Sequence, residues 1–169
     1  MRKPYKILAF FLIIFLTGCV PKSYHIGNTN AGFSAADSVP FLPPLQSREA
    51  VPFGAKRGGA TLDGIIFYAR EGEPVVAARS GRVVFVGEGL TGYAKTVILE
   101  HSEDFSTVYA RNLEIFVKSG QQIHQGELIG KITGAENKGI PSLYFEIRKK
   151  NQAEDPKLYL PGAGASHSV

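Results

Sequence analysis

The chain has a single cysteine, Cys19, among its 169 residues, so it cannot form an internal disulfide. It also lacks a basic excess once its first residues are set aside. Arg2, Lys3 and Lys6 are three of the 19 basic residues, which leaves 16 basic against 15 acidic residues in the rest of the chain. This near balance excludes the broad basic surface by which proteins bind nucleic acid.

The apolar run Ile7–Leu16 is too short to cross a bilayer as a stable helix. Basic residues precede it and small residues follow it, which is typical of a secretory signal. The end of this segment, Leu16–Cys19, resembles the lipobox of bacterial lipoproteins. The resemblance implies that residues 1–18 are a lipoprotein signal peptide and that Cys19 carries the lipid. The alternative is an uncleaved apolar anchor that ends in a free cysteine, and both place the protein at a membrane surface outside the cytoplasm.

Residues 19–40 are polar, small and turn-forming, and we expect them to be a lipidated, flexible tether. The residue after the cysteine is Val20 and not aspartate. By the sorting pattern of Gram-negative lipoproteins, this implies the outer membrane, facing the periplasm. The chain is 44% hydrophobic and 20% charged, the composition of a globular protein. We expect residues 41–161 to form one domain and the small, polar residues 162–169 to be a disordered tail.

Short apolar runs alternate with turn residues along the expected domain, and the chain has 19 glycines and 10 prolines. This pattern predicts an all-β fold, either a β-sandwich or a partly open barrel. The predicted strands are 74–78, 82–86, 96–100, 107–111, 115–117, 128–132 and 143–148.

The last of these strands has two distinct faces. Leu143, Phe145 and Ile147 alternate with polar or aromatic residues at 142, 144, 146 and 148, the period of a half-buried strand. The first set predicts a face packed on the core. The second set is therefore the candidate for a functional surface.

Several segments together resemble the LytM-type (lysostaphin-like) zinc endopeptidases of peptidoglycan. Pro52–Lys56 matches the loop at the start of that domain, and Glu73–Val84 matches its Pro-Val-x-Ala, Gly-x-Val hairpin. Val117–Gly130 matches its paired turns, and Asp155–Leu160 matches its end. The resemblance covers residues 41–161 and implies the family's fold, with a shallow groove over the active site.

The positions of the family's active site carry other residues in this chain. The zinc-binding His-x-Gly-x-Asp motif aligns with Leu62–Ile66, and the third zinc ligand aligns with Tyr144. The two catalytic histidines align with Arg111, in Tyr109-Ala110-Arg111, and with Ser142. The resemblance therefore implies a degenerate site with no metal, no cofactor and no catalytic residue. An active endopeptidase with unusual ligands is a third alternative, and His101 is expected to be structural.

An altered groove of this composition suits the docking of a peptide segment, because tyrosine and arginine are enriched at binding hot spots. An amphipathic helix is one such segment, with Arg111 pairing an acidic side chain. The alternative is a site that has filled in, with Leu62 and Ile66 in the core under Tyr144 and with Arg111 paired to Glu146. The residues predicted to line the groove are Leu62, Ile66, Tyr109, Arg111, Ser142, Tyr144 and Glu146.

The stretch Pro141–Arg148 is similar to the same strand in EnvC-type members of the family, which lack the metal and activate cell-wall amidases. The membrane tether is similar to that of NlpD-type members. The resemblance implies a non-catalytic envelope lipoprotein that activates a periplasmic N-acetylmuramoyl-L-alanine amidase at cell division, with the zinc belonging to the amidase. The alternative is a peptidoglycan-binding scaffold that keeps the cleft without hydrolysis.

Overall fold

The computed structural model describes residues 41–47, 49–88, 94–135 and 139–161. The predictions for the signal peptide, Cys19, the tether and the tail lie outside these ranges and stay predictions. In chain order the strands are β1 (Glu49–Val51), β2 (Lys56–Arg57), β3 (Ala60–Thr61), β4 (Ile65–Tyr68), β5 (Pro74–Val76), β6 (Gly81–Gly87), β7 (Lys95–Glu100), β8 (Phe105–Arg111), β9 (Leu113–Ile115), β10 (Gln122–Ile123), β11 (Leu128–Ile132), β12 (Ser142–Lys149) and β13 (Gln152–Glu154).

The strands form one large sheet, one small sheet and a hairpin, and their pairings are antiparallel. The large sheet has the order β1-β4-β12-β8-β7-β6-β10, and β13 pairs with the second half of β12. The small sheet has the order β5-β11-β9, and β2 pairs with β3. A 3₁₀ turn, Pro156–Leu158, follows β13 and is capped by the Asp155 side chain, which accepts from the Lys157 backbone N–H. Within the described ranges, no helix is long and apolar enough to span a membrane.

The prediction of an all-β fold is confirmed, and each predicted strand overlaps an observed one. The strand predicted at 115–117 lies two residues earlier, since β9 ends at Ile115. Strand β4 was missed, because Ile65, Ile66 and Phe67 are buried without alternation, as in a strand covered on both faces. This omission matters, because β4 is the strand beside β12 at the altered site.

The hydrophobic core lies between the large and small sheets. Phe145 on β12 packs against Tyr109 on β8, with ring centroids 5.3 Å apart, and against Phe67 on β4 at 6.4 Å. Ile129 and Leu113 face them from the small sheet and are fully buried. Successive side chains of a strand point to opposite faces of the sheet. The residues that lie between these core side chains on β4, β8 and β12 therefore point away from the core.

Candidate functional site

The two faces of β12 are as the alternation predicts, but both are buried. Leu143, Phe145 and Ile147 lie in the core at 0% exposure. On the other face, Tyr144 is 4% exposed and Glu146 is 0% exposed. The second face is therefore covered by other parts of the chain at these two positions.

Tyr144 is flanked within the sheet by β4 and β8 and is covered by the loop that precedes β4. Tyr144 pairs in register with Ile66 and with Ala110, and these three form a small apolar cluster. Val51 and the half-buried Leu62 pack against this cluster. Gly64 lies so close to β12 that a Cβ there would clash with the Phe145 carbonyl and the Glu146 side chain. Glycine is thus required where the loop crosses the strand.

The residues at the three zinc positions do not fit a metal ion. Ile66 is completely buried hydrocarbon, and Leu62 also has no donor atom. The Tyr144 hydroxyl donates a hydrogen bond of 2.5 Å to Glu146 Oε1, and a protonated phenol is a poor zinc ligand. In the part of the chain that the structure describes, no group of three or more His, Cys, Asp or Glu side chains is arranged to hold a metal.

Glu146 is held by a hydrogen-bonded ion pair on its second oxygen. Arg148 Nη1 donates to Glu146 Oε2 at 2.6 Å, and Arg148 Nη2 donates to the Asn151 carbonyl at 2.8 Å. The Glu146 side chain is 1% exposed and that of Arg148 is 32% exposed. The partner of Glu146 is thus Arg148, two residues along the same face, and not Arg111 as the filled-site alternative supposed.

Arg111 lies at the edge of the altered site in an unusual backbone conformation. Its φ of 89° is left-handed, which for a residue with a side chain costs on the order of 1–3 kcal/mol. An extended Arg111 would share the core face of its register partner Leu143, whereas here its guanidinium carbon lies 5.8 Å from the centre of the Tyr144 ring. Burial, and then the charge of Arg57, lower the pKa of Arg111 from its usual value.

Tyr109 does not line this surface, which corrects the sequence prediction. Its register partner is Phe145, so its ring points into the core, where it is fully buried. Its hydroxyl accepts from the Ala78 backbone N–H at 2.8 Å and lies 3.1 Å from the Thr107 hydroxyl. Burial raises the pKa of Tyr109 to about 12. The period of β8 places Tyr109 and Ala110 on opposite faces, and the register with β12 shows that Ala110 is the one on the face of Tyr144.

His101 belongs to the same buried hydrogen-bonded chain and not to the altered site. Its Nε2 lies 2.8 Å from the Thr107 hydroxyl, and its Nδ1 lies 2.9 Å from the Ser80 carbonyl. Since a carbonyl only accepts, Nδ1 carries the proton of the neutral ring. Burial lowers the pKa of His101 to about 4. His101 follows the last residue of β7, whereas Arg111 pairs with Lys95, the first residue of that strand.

Three residues at the rim of the site were missed by the sequence analysis. Tyr68 on β4 pairs in register with Ser142, shares the face of Tyr144 and is 44% exposed. Arg57, on the exposed β2–β3 hairpin, acts on Arg111 through its charge. Ile140, just before β12, is 61% exposed. The altered site thus has a filled floor of Ile66 and Tyr144. Around it we define a partly exposed rim, in which Leu62 and Arg111 are half-buried and Arg57, Tyr68 and Ile140 are exposed.

Known proteins are similar to this chain in sequence and in fold. The model of peptidase family M23 matches residues 60–156. The uncharacterized lipoprotein YgeR of Escherichia coli is 36% identical over 125 residues, which are 74% of this chain and 49% of YgeR. The murein hydrolase activator NlpD of Escherichia coli is 33% identical over 118 residues, which are 70% of this chain and 30% of NlpD.

The solved structure of the antimicrobial peptidase lysostaphin from Staphylococcus simulans has the same fold, with a TM-score of 0.61 and 24% identity. The match covers 73% of this chain and 54% of the lysostaphin chain. The chain spans about half the length of YgeR and less than a third of NlpD. The residues matched by the family, 60–156, include Leu62, Ile66, Arg111, Ser142 and Tyr144.

Proposed function

From the premise that this chain belongs to peptidase family M23, we propose that it is a non-catalytic member that activates a periplasmic N-acetylmuramoyl-L-alanine amidase during peptidoglycan splitting at cell division. The observation that carries the proposal is the replacement of the metal site by packing. Ile66 and Tyr144 fill the floor, and the Tyr144 hydroxyl is hydrogen-bonded to Glu146. The relative NlpD is named a murein hydrolase activator, which supports an activating role for the shared domain.

The rim supplies the chemistry for holding a partner. Tyr68 and Ile140 expose large apolar side chains, and Arg111 presents a guanidinium over the Tyr144 ring. Aromatic and arginine side chains around an apolar centre are typical of interface hot spots. A segment of the amidase, such as an amphipathic helix, binds there and leaves the amidase's own zinc site open. The zinc that performs hydrolysis is that of the partner.

The proposed location is the periplasmic side of the outer membrane, with Cys19 as the lipid anchor and residues 19–40 as the tether. The names of YgeR, a lipoprotein, and NlpD, an activator of murein hydrolases, support a lipid-anchored protein of the cell envelope. A fully extended chain of the length of residues 19–40 measures on the order of 70 Å at about 3.3 Å per residue, which is the greatest reach that the proposal gives the domain toward the peptidoglycan layer.

The test is dye release from labelled sacculi by the full chain, purified in non-ionic detergent, alone and with each amidase of the same organism. We expect no release by the chain alone and an increase in the rate of one amidase. Tyr68→Ala should reduce this increase by about tenfold, the effect of losing one hot-spot aromatic. Phe116→Ala is the matched control, because Phe116 is as exposed as Tyr68 (46% against 44%) and lies on the loop after β9.

Two results would contradict the proposal. About one equivalent of zinc in the purified chain, together with release in the absence of amidase, would show an active peptidase. Sedimentation of the chain with sacculi, without stimulation of any amidase, would favour a peptidoglycan-binding scaffold instead.

A further inference from the structure

The outer face of the small sheet carries a row of exposed apolar side chains. On β5, Val75 is fully buried in the core, and the next residue, Val76, points the other way and is half-buried. Val76 pairs in register with Leu128 on β11, which is 47% exposed. Phe116 follows β9, donates its backbone N–H to the Ile129 carbonyl and is 46% exposed. The row thus extends from β5 across β11 to the end of β9.

The first segment of the domain extends this row on its other side. Residues 42–44 run beside β5, where the Val76 N–H donates to the Pro44 carbonyl at 2.8 Å. Leu42 is 36% exposed and lines, together with Val76, a groove of about 880 Å³. A contiguous apolar patch is typical of an interaction surface, whereas single exposed apolar side chains are common everywhere. We define the apolar stripe, in the order in which it crosses the sheet, as Leu42, Val76, Leu128 and Phe116.

The charges on this face neutralise each other. The three strands of the small sheet contain two charged residues, Glu114 on β9 and Lys131 on β11. They are register partners, and Lys131 Nζ lies 3.1 Å from Glu114 Oε2. An anionic lipid surface attracts a basic excess, and a charged protein partner attracts the opposite sign. A face without net charge instead suits a second copy of itself, because two such faces do not repel each other.

The apolar stripe lies on the side of the domain away from the altered site. The hydrophobic core lies between the two sheets, and Tyr144 belongs to a separate cluster on the other face of the large sheet. The outer face of the small sheet and the face of Tyr144 therefore point in opposite directions. Two chains that associate through the stripe keep both rims accessible.

We propose that the apolar stripe is the interface of a symmetric homodimer. A twofold axis between Val76 and Leu128 places Leu42 of one copy opposite Phe116 of the other. Each Phe116 ring then enters the groove beside Leu42 and Val76 of the facing copy, as an aromatic anchor fills a pocket at an interface. The inference goes beyond the proposed function and does not depend on it.

Disulfide trapping tests this interface in the full chain, purified in non-ionic detergent with micelles in large excess. Each variant has one added cysteine, and wild type, with its single Cys19, gives the background. A disulfide requires Cα atoms within about 7 Å, so oxidation should link two copies of Leu128→Cys. Val84→Cys and Tyr68→Cys are matched controls on the large sheet, because both residues are 44% exposed, and they should stay at background.

Mixing two variants that differ in size tests the twofold arrangement. Phe116→Cys and Leu42→Cys should form a mixed dimer in preference to a dimer of either variant alone. Adding Leu128→Glu to both chains places unpaired charges in the interface and should lower the yield of mixed dimer by about tenfold. Val84→Glu is the control for the added charge and should leave this yield unchanged.

Three results would overturn the inference. Equal yields at the stripe and control positions would show random collision, and yields at background everywhere would show no dimer. If Leu128→Cys forms no dimer but is protected from a water-soluble maleimide by vesicles of phosphatidylethanolamine and phosphatidylglycerol, the stripe contacts lipid instead. Amidase stimulation is measured separately, so a dimer without stimulation contradicts only the proposed activation, and stimulation without a dimer contradicts only this interface.

Discussion

The two faces of β12 are both buried from Leu143 to Ile147 but are stabilised by different interactions. On the core face, Phe145 packs between the rings of Tyr109 and Phe67. On the opposite face, Tyr144 and Arg148 both bind the Glu146 carboxylate, which is 0% exposed. The core face depends on shape and volume, whereas the opposite face depends on each polar group keeping its partner. Burial alone therefore does not distinguish a face held by apolar packing from a face held by paired polar groups.

The difference also bears on the three positions that the sequence resemblance aligns with zinc ligands. These are Leu62, Ile66 and Tyr144, and the first two are hydrocarbon that packs in the cluster with Ala110. The third keeps a hydroxyl, and the acid next along the strand accepts its hydrogen bond. The floor is thereby closed, while Tyr68, 44% exposed, and Arg111 lie at its rim.

The largest effect is expected where the core face is broken. Phe145→Ala should lower the free energy of unfolding by about 3–5 kcal/mol, because it removes a ring packed between two others and leaves a cavity. Urea denaturation followed by circular dichroism measures this change. Val84→Ala, a large-to-small change at a side chain 44% exposed, should stay within about 0.5 kcal/mol of wild type. A similar loss in both variants would contradict the central role of the core face.

A smaller effect is expected from the polar chain within the core. The folded pKa of His101 is about 4, below its unfolded value of 6.5, so the unfolded chain binds this proton first. Stability from His101 is complete above pH 6.5 and is lost as the pH falls toward 4, by up to about 3 kcal/mol. Between pH 7 and pH 4, the free energy of unfolding should change less with pH in His101→Asn than in wild type, because asparagine keeps a donor near Ser80 and does not titrate.

The control for this prediction is His124→Asn, because the His124 side chain is 90% exposed. The free energy of unfolding of His124→Asn should vary with pH as that of wild type does. If His101→Asn and wild type lose stability in parallel between pH 6.5 and pH 4, the buried neutral state of His101 is wrong.

The strand period predicted the core face of β12, because Leu143, Phe145 and Ile147 alternate over one strand. The same rule places Ala110, and not Tyr109, beside Tyr144, but this requires the register between β8 and β12, which a single sequence does not give. The packing beside Tyr144 depends on β4, whose run of buried residues has no period. The position of Arg111 depends on a left-handed backbone that residue type does not predict.

The smallest effect concerns the ion pair that closes the opposite face. Arg148→Ala removes one partner of a carboxylate that is 1% exposed, while the Tyr144 hydroxyl remains on its other oxygen. We expect a loss of about 2 kcal/mol in the free energy of unfolding, below the values for fully buried pairs because Arg148 is 32% exposed. Lys131→Ala is the matched control, since the Lys131–Glu114 pair at 3.1 Å is 44% and 49% exposed and should contribute no more than about 1 kcal/mol. Equal losses in the two variants would mean that Glu146 is not stabilised by Arg148, and the opposite face would then resemble the core face, held by the packing of Tyr144 and Ile66 alone.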